Sequence, residues 1–190
     1  MATRRTPRAP RGPVKQRLKV ESHLLMTVDP GWDNLGVAIF WHGKLRTCDA
    51  LYARWGHDLY QMRKMGDVAA QWFRDHRPGR CSTRDATLAI ERMRGRPENK
   101  DNLAITDKLI DLGVVSGVIL GQGAADHLIH VEPAHWTQMR PKPVNHERIK
   151  KRLDAEETAV LQSALKRCDN AEHIDILDAV GIGLHLLHRL

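Results

Sequence analysis

The chain has 190 residues, 42% of them hydrophobic and 28% charged, with a formal charge of +7. This length and balance suit one domain with a real core, and no apolar run approaches the roughly 20 residues of a bilayer span, so membrane and collagen-like classes are excluded. The N-terminus lacks the apolar core of a secretory signal, and Cys48, Cys81 and Cys168 fit neither a disulfide framework nor a CxxC zinc site; a cytoplasmic protein with reduced cysteines is expected.

The charge is uneven. Residues 1–19 hold seven cations and no acid, and removing these from the 30 Lys and Arg leaves 23 cations against 23 Asp and Glu. With Pro7, Pro10 and Pro13 and little apolar content, residues 1–22 read as a basic, disordered tail ahead of a single domain at 23–190. A phosphate-binding arm is the favoured reading of the tail, and a solubilising extension is the alternative.

From His23 to Tyr52 the pattern predicts three strands, Leu24 to Val28, Gly36 to Trp41 and Leu45 to Tyr52, the last two joined at His42-Gly43-Lys44 in an antiparallel meander. The first strand runs out at Asp29-Pro30-Gly31. These three residues are either an ordinary turn or a fixture that holds a carboxylate for a hard cation. Residues 57–76 carry Tyr60, Met65, Val68, Ala69, Trp72 and Phe73 at near-helical spacing and stop at Pro78-Gly79; the aromatics read as core rather than as base-stacking groups.

Ala86 to Ile90 is a fourth strand that delivers Glu91, so an apolar strand again ends on an acid. The polar segment after it carries Arg92, Arg94, Arg96 and Lys100, which suits either a phosphate backbone or a solvated surface loop. Residues 103–120 read as a helix with Gly113 and Gly117 on one face and Gly121 just beyond, open to close approach by either the chain's own sheet or a second subunit. Leu128 to Val131 is a fifth strand. Residues 134–144, with Trp136, Arg140 and Lys142, read as irregular, and 145–168 as one helix with Lys150, Lys151 and Arg152 near its start, either a phosphate contact or a solvated face. The last helix, from about Glu172 to Leu187, places Asp175 and Asp178 three apart on one face.

Two like charges beside Ile174, Ile176, Leu177, Val180 and Ile182 repel and lose hydration, a poor choice for structure alone. A divalent cation reverses that argument by drawing several carboxylate oxygens together. Asp29, Glu91, Asp175 and Asp178 are therefore the candidate metal ligands and catalytic acids, for Mg²⁺ or Mn²⁺ and two-metal phosphodiester hydrolysis. His173 is an accessory candidate that could orient water, ligate metal or simply start the helix.

The segments DPGWDNLGVAIF, LAIE, NLAITDKLIDLGVVSGVI, VEP and DILDAVGIGL together resemble the RuvC-type Holliday-junction resolvases of the ribonuclease H-like superfamily, over roughly residues 24 to 186. The resemblance implies an α/β fold, with a mixed five-stranded sheet (antiparallel first three strands, parallel remainder) flanked by helices. It also implies a homodimer, and paired metal-dependent nicks in four-way branched DNA with two ions per site. Asp29 matches the first-strand acid, Glu91 the fourth-strand acid, and Asp175 and Asp178 the last-helix acids. Arg92, Arg94, Arg96, Lys100, Arg140, Lys142, Lys150 and Lys151 are the candidate DNA contacts.

Two departures stand out. The loop after Glu91 offers Met93 and Arg94 where the family often has an aromatic wedge, and PAHWTQMRPKPVNHERIKK differs from the usual form. Compact size and the basic tail suggest a phage or mobile-element version acting in bacterial or infected-host cytoplasm. The rivals are an RNA-processing, flap or single-strand nuclease of the same fold, a non-catalytic junction-binding protein, and an actin- or sugar-kinase-type ATP-binding protein, which would need two such domains.

Overall fold

The computed structural model describes residues 23–30, 34–52, 59–79, 86–92, 113–170 and 172–190. The basic tail, Arg94, Arg96, Lys100, Met93, Cys81 and the first part of the glycine-bearing helix lie outside these residues. Five strands, β1 (Leu24–Pro30), β2 (Asn34–Trp41), β3 (Lys44–Tyr52), β4 (Ala86–Glu91) and β5 (His127–Val131), form one sheet in the order β3-β2-β1-β4-β5. The first three pair antiparallel, and β1–β4 and β4–β5 are parallel, as the resemblance implied. The β2–β3 hairpin turns through His42 (φ 50°) and Gly43 (φ 76°), two consecutive left-handed residues that match the twist of the strands they join.

Strand periodicity sorts the sheet residues into two layers. Leu24, Met26 and Val28 of β1, Leu35, Val37 and Ile39 of β2, and Leu88 and Ile90 of β4 all face one core. That face is covered by α1 (Leu59–His76) and by a helix at residues 113–121 (α2). The two helices approach closely at Gly66, where a Cβ would lie 2.6 Å from the Val118 side chain. Trp72 and Phe73 are buried in this core, as expected, whereas Tyr60 and Val68 are exposed and do not belong to the apolar stripe. Added Cβ atoms at Gly113, Gly117 and Gly121 would meet nothing within 4 Å. The glycine face is therefore not where α2 packs on its own sheet.

The opposite face, with Leu25, Ala38, Phe40 and Ala89, packs on α6 (Glu172–Leu186) together with α3 (Pro133–Thr137), α4 (Lys142–Lys150) and α5 (Ala155–Leu165). Two sequence expectations are corrected here. Residues 134–144 are not irregular throughout, because α3 starts on Pro133 at its first turn and α4 starts at Lys142. Nor is 145–168 one helix. Asp154 breaks it by capping α5: its carboxylate accepts from the Glu157 N–H at 3.0 Å while Glu157 accepts from the Asp154 N–H at 3.0 Å. Glu157 is only 1% exposed and also receives the Arg189 guanidinium at 2.6 and 2.7 Å and the Leu45 N–H at 2.8 Å. This buried, fully partnered carboxylate ties β3, α5 and the C-terminal end together. Among the described residues no helix is long and apolar enough to cross a membrane.

Candidate active site

The alternation that sends Val28 and Ile90 into one core turns the next residue of each strand to the other face. Val28 and Ile90 are the last registered pair of the parallel β1–β4 ladder, so Asp29 and Glu91 follow on adjacent strands, both on the side that carries α6. Asp29 lies opposite Gly36 in the β1–β2 ladder. That glycine is required: a Cβ there would stand 1.9 Å from the Asp175 carbonyl oxygen, so only glycine lets the first turn of α6 rest on β2 beside Asp29. Thr27 Oγ1 donates to the Ala179 carbonyl at 2.8 Å and fixes the next turn of α6 on β1. The sheet end and the helix start thus bring Asp29, Glu91, Asp175 and Asp178 together.

Their electrostatics show the crowding. Burial holds the Asp29 carboxyl well above the ordinary carboxylate range, and the fields of Glu91, Asp178 and Asp175 add to it against the opposing pull of Lys142. Glu91 is pushed up to about 7, chiefly by burial and then by Asp178, although the Trp136 hydrogen bond works the other way. Asp175 is pushed up to about 6 by burial, with Asp178 and Glu172 adding to it and Lys142 opposing. Three neighbouring carboxyl groups that resist ionisation make this cluster a candidate functional site.

Two residues that the sequence reading did not single out organise this cluster. Trp136 Nε1 donates to Glu91 Oε2 at 2.7 Å, and its ring packs where a Cβ on Gly181 would come within 2.7 Å. His146 Nε2 lies 2.8 Å from Asp178 Oδ1, and Lys142 Nζ donates to Asp178 Oδ2 at 2.8 Å. Asp178 is 3% exposed, and α4 supplies a cation or N–H donor to each of its oxygens. No local sequence signal announces these contacts, since the partners lie 32 to 45 residues apart.

Other candidates fall elsewhere. His173 points away from the acids, its Nε2 2.7 Å from the Leu165 carbonyl and 3.2 Å from the Cys168 carbonyl, which caps the end of α5. Lys142 serves Asp178, and Lys150 pairs with Glu147 at 2.9 Å. Arg92, Arg140 and Lys151 are exposed. A shallow cavity of about 680 Å³ beside α4 is lined by Pro143, Val144, Glu147, Arg148, Lys151 and Arg152, so Arg148 and Arg152 join the cationic surface.

The donor set of the cleft consists of hard carboxylate oxygens, which fits Mg²⁺ or Mn²⁺. Among the described residues no three His, Cys, Asp or Glu side chains are close-set enough to hold an ion as they stand. Asp178 is instead paired with Lys142 and His146 of α4.

Sheet order, strand directions and the placement of α6 define an α/β protein of the ribonuclease H-like class. Solved structures of junction resolvases share this fold. The chain is similar to the yeast mitochondrial Holliday junction resolvase Ydc2, at 10% identity over 88% of this chain and 78% of that one, with a TM-score of 0.57. It is also similar to Thermus thermophilus RuvC in complex with a Holliday junction substrate (17% identity, 85% and 90% of the two chains, TM-score 0.48) and to T. thermophilus RuvC (18%, 85% and 92%, 0.44). No protein-family model and no curated protein matches the chain.

Proposed function

We propose that this protein is a metal-dependent, structure-selective DNA endonuclease that resolves four-way junctions as a homodimer. The observation that carries the reading is the convergence of Asp29, Glu91, Asp175 and Asp178 at one end of the sheet, with Asp29, Glu91 and Asp175 all held above the ordinary carboxylate range. The Ydc2-like fold supports the junction as substrate. Asp29, Glu91, Asp175 and Asp178 would hold Mg²⁺ or Mn²⁺. Such ions, when bound, supply a nucleophilic hydroxide at neutral pH and stabilise the charge on the leaving 3′ oxygen.

The chain's own groups do the rest. Trp136 fixes the Glu91 carboxylate, His146 fixes Asp178, and the Lys142 ammonium serves as counter-ion to Asp178 until other positive charge takes over that role. Arg92, Arg140, Lys151 and Arg152 lie exposed for the phosphate backbone, with the half-buried Arg148 beside them, and Arg94, Arg96 and Lys100 are proposed as further contacts. The open glycine face of α2 supports a second copy of the chain as its partner, which would give a two-fold enzyme for a two-fold substrate.

The test is a cleavage panel of labelled four-way junction, duplex, flap, single strand and RNA hairpin with Mg²⁺, Mn²⁺ or chelator. The proposal expects metal-dependent nicking of the junction above the others. Faster cutting of the flap or RNA would transfer the same site to a different substrate. Tight junction binding with no nick under either metal would favour a non-catalytic binding protein.

A further inference from the structure

One acid of the cluster is held differently from the rest. Both oxygens of Asp178 are engaged by α4: Lys142 Nζ donates to Oδ2 at 2.8 Å, and His146 Nε2 lies 2.8 Å from Oδ1. Among the described residues neither Asp29 nor Asp175 has an ion pair of this kind. A divalent ion sharing Asp178 would stand beside the Lys142 ammonium, where like charges repel. As seated, α4 opposes the use of Asp178 as a metal ligand.

The seat of this helix is imperfect. Asn145 is 1% exposed, yet neither its Oδ1 nor its Nδ2 has a hydrogen-bond partner. A buried amide left unpaired costs stability that an apolar group of its shape would not. α4 begins after Pro141 with no side-chain cap, and the link before it takes Gln138 and Met139 through left-handed conformations, φ 54° and 61°. Near its end Ile149 packs on α6 at Gly181, where a Cβ would lie 2.7 Å from Ile149 Cδ1. The helix is thus seated by a charge clasp at its start and an apolar contact at its end.

The other side of α4 carries uncompensated positive charge. Arg148, Lys151 and Arg152 line the cavity of about 680 Å³, and Glu147, the acid among its lining residues, is paired with Lys150. Arg148 Nη1 is buried without a hydrogen-bond partner. The Lys142 side chain is 62% exposed, so a phosphate can reach its ammonium from solvent without opening the core. A polyanion on this face competes with Asp178 for Lys142 and gains the three cations beside it. An uncharged partner would leave the clasp untouched.

We infer that α4 is a substrate-operated clasp: seated on α6 it withholds Asp178 from metal, and DNA phosphates that engage Lys142 and the Arg148, Lys151 and Arg152 wall release the acid. This rests on the proposed nuclease reading and adds an order of events to it, DNA before the full ligand set.

The test is calorimetric binding of Ca²⁺ to the full chain, alone and bound to a four-way junction, with binding to the junction alone subtracted. Ca²⁺ takes oxygen ligands as Mg²⁺ does, and gels of the same samples confirm that the junction stays whole. Lys142→Gln keeps an N–H donor for Asp178 but not the charge. Without DNA it should bind Ca²⁺ about fivefold more tightly than wild type, the low end of coupling between two sites, and on the junction the two should converge. Lys142→Arg, which keeps the charge, should behave as wild type in both states. An advantage of Lys142→Gln that is the same size with and without the junction would overturn the inference, because a fixed charge effect needs no release of Asp178. So would equal affinities of Lys142→Gln and wild type without DNA. In either case nicking of the junction by wild type in Mg²⁺ would leave the nuclease reading intact. A wild type that neither binds nor nicks the junction would instead remove that reading, and this inference with it.

Discussion

Replacing Glu91 with glutamine removes one negative charge while leaving a side-chain oxygen that can accept the Trp136 indole hydrogen bond. In the folded chain Glu91 keeps its proton up to about 7, against an ordinary 4.5. The folded state therefore binds more protons than the unfolded state between these values. The stabilisation from protonated Glu91 is complete below about 4.5 and is lost as the pH rises through about 7. A shift of that size is worth about 3 kcal/mol, so ionised Glu91 burdens the metal-free protein by up to that amount at pH 8. Glu91→Gln should then melt roughly 6–12 °C above wild type at pH 8 in chelator, and the two curves should converge near pH 5. Thermal unfolding followed by circular dichroism at the two pH values reads this directly. Adding Mg²⁺ should raise the wild-type midpoint at pH 8 and the variant's much less, because the ion supplies the charge that the substitution makes unnecessary. A midpoint difference independent of pH, or a variant less stable than wild type at pH 8, would refute the claim that burial, aided by Asp178, disfavours ionised Glu91.

Other consequences follow from the same contacts. Trp136→Phe removes the hydrogen bond that holds the Glu91 value down, so the pH at which the metal-free protein loses stability should move upward, as seen in midpoints measured from pH 5 to 9. Gly36→Ala puts a methyl group into the Asp175 carbonyl and should cost roughly 2–3 kcal/mol in urea unfolding while also slowing cleavage, because α6 must move away from Asp29. Glu157→Ala leaves the half-buried Arg189 without its carboxylate but still bonded to the Gly43 and Arg152 carbonyls, and should destabilise the fold by roughly 1.5–3 kcal/mol, with the remaining folded fraction still able to bind metal. Gly117→Leu meets nothing in its own chain, so it should keep or raise the unfolding midpoint yet shift sedimentation toward monomer if the glycine face is the subunit contact.

Much of the site was legible because period-two and helical patterns survive in the sequence. Asp29 and Glu91 each end an apolar strand, and in the ladder they follow the Val28–Ile90 pair. Asp175 and Asp178 sit three apart on an apolar helix, where a repulsive pair stands out. The residues that hold these acids were less visible. Trp136 and His146 look like any aromatic and any histidine until the fold brings α3 and α4 over the sheet end. The break before α5 was present in the sequence as Asp154-x-x-Glu157, a capping signature, but the apolar spacing of Ile149, Leu153, Val160 and Leu161 runs across it and suggests one continuous helix. His173 drew attention by lying two residues from Asp175, yet a helix turns side chains two apart to different faces, and this one meets the end of α5 instead.

The central claim is that the four acids cut the junction without being what holds it. Binding and nicking of one labelled four-way junction by wild type, Glu91→Gln and Asp178→Asn, each with Mg²⁺ and with chelator, tests this most directly. The account predicts that all three bind within a few-fold of one another, since the phosphate contacts come from other residues, and that only the wild type nicks, only with metal. Nicking by either variant at the wild-type rate, or by the wild type in chelator, would contradict it.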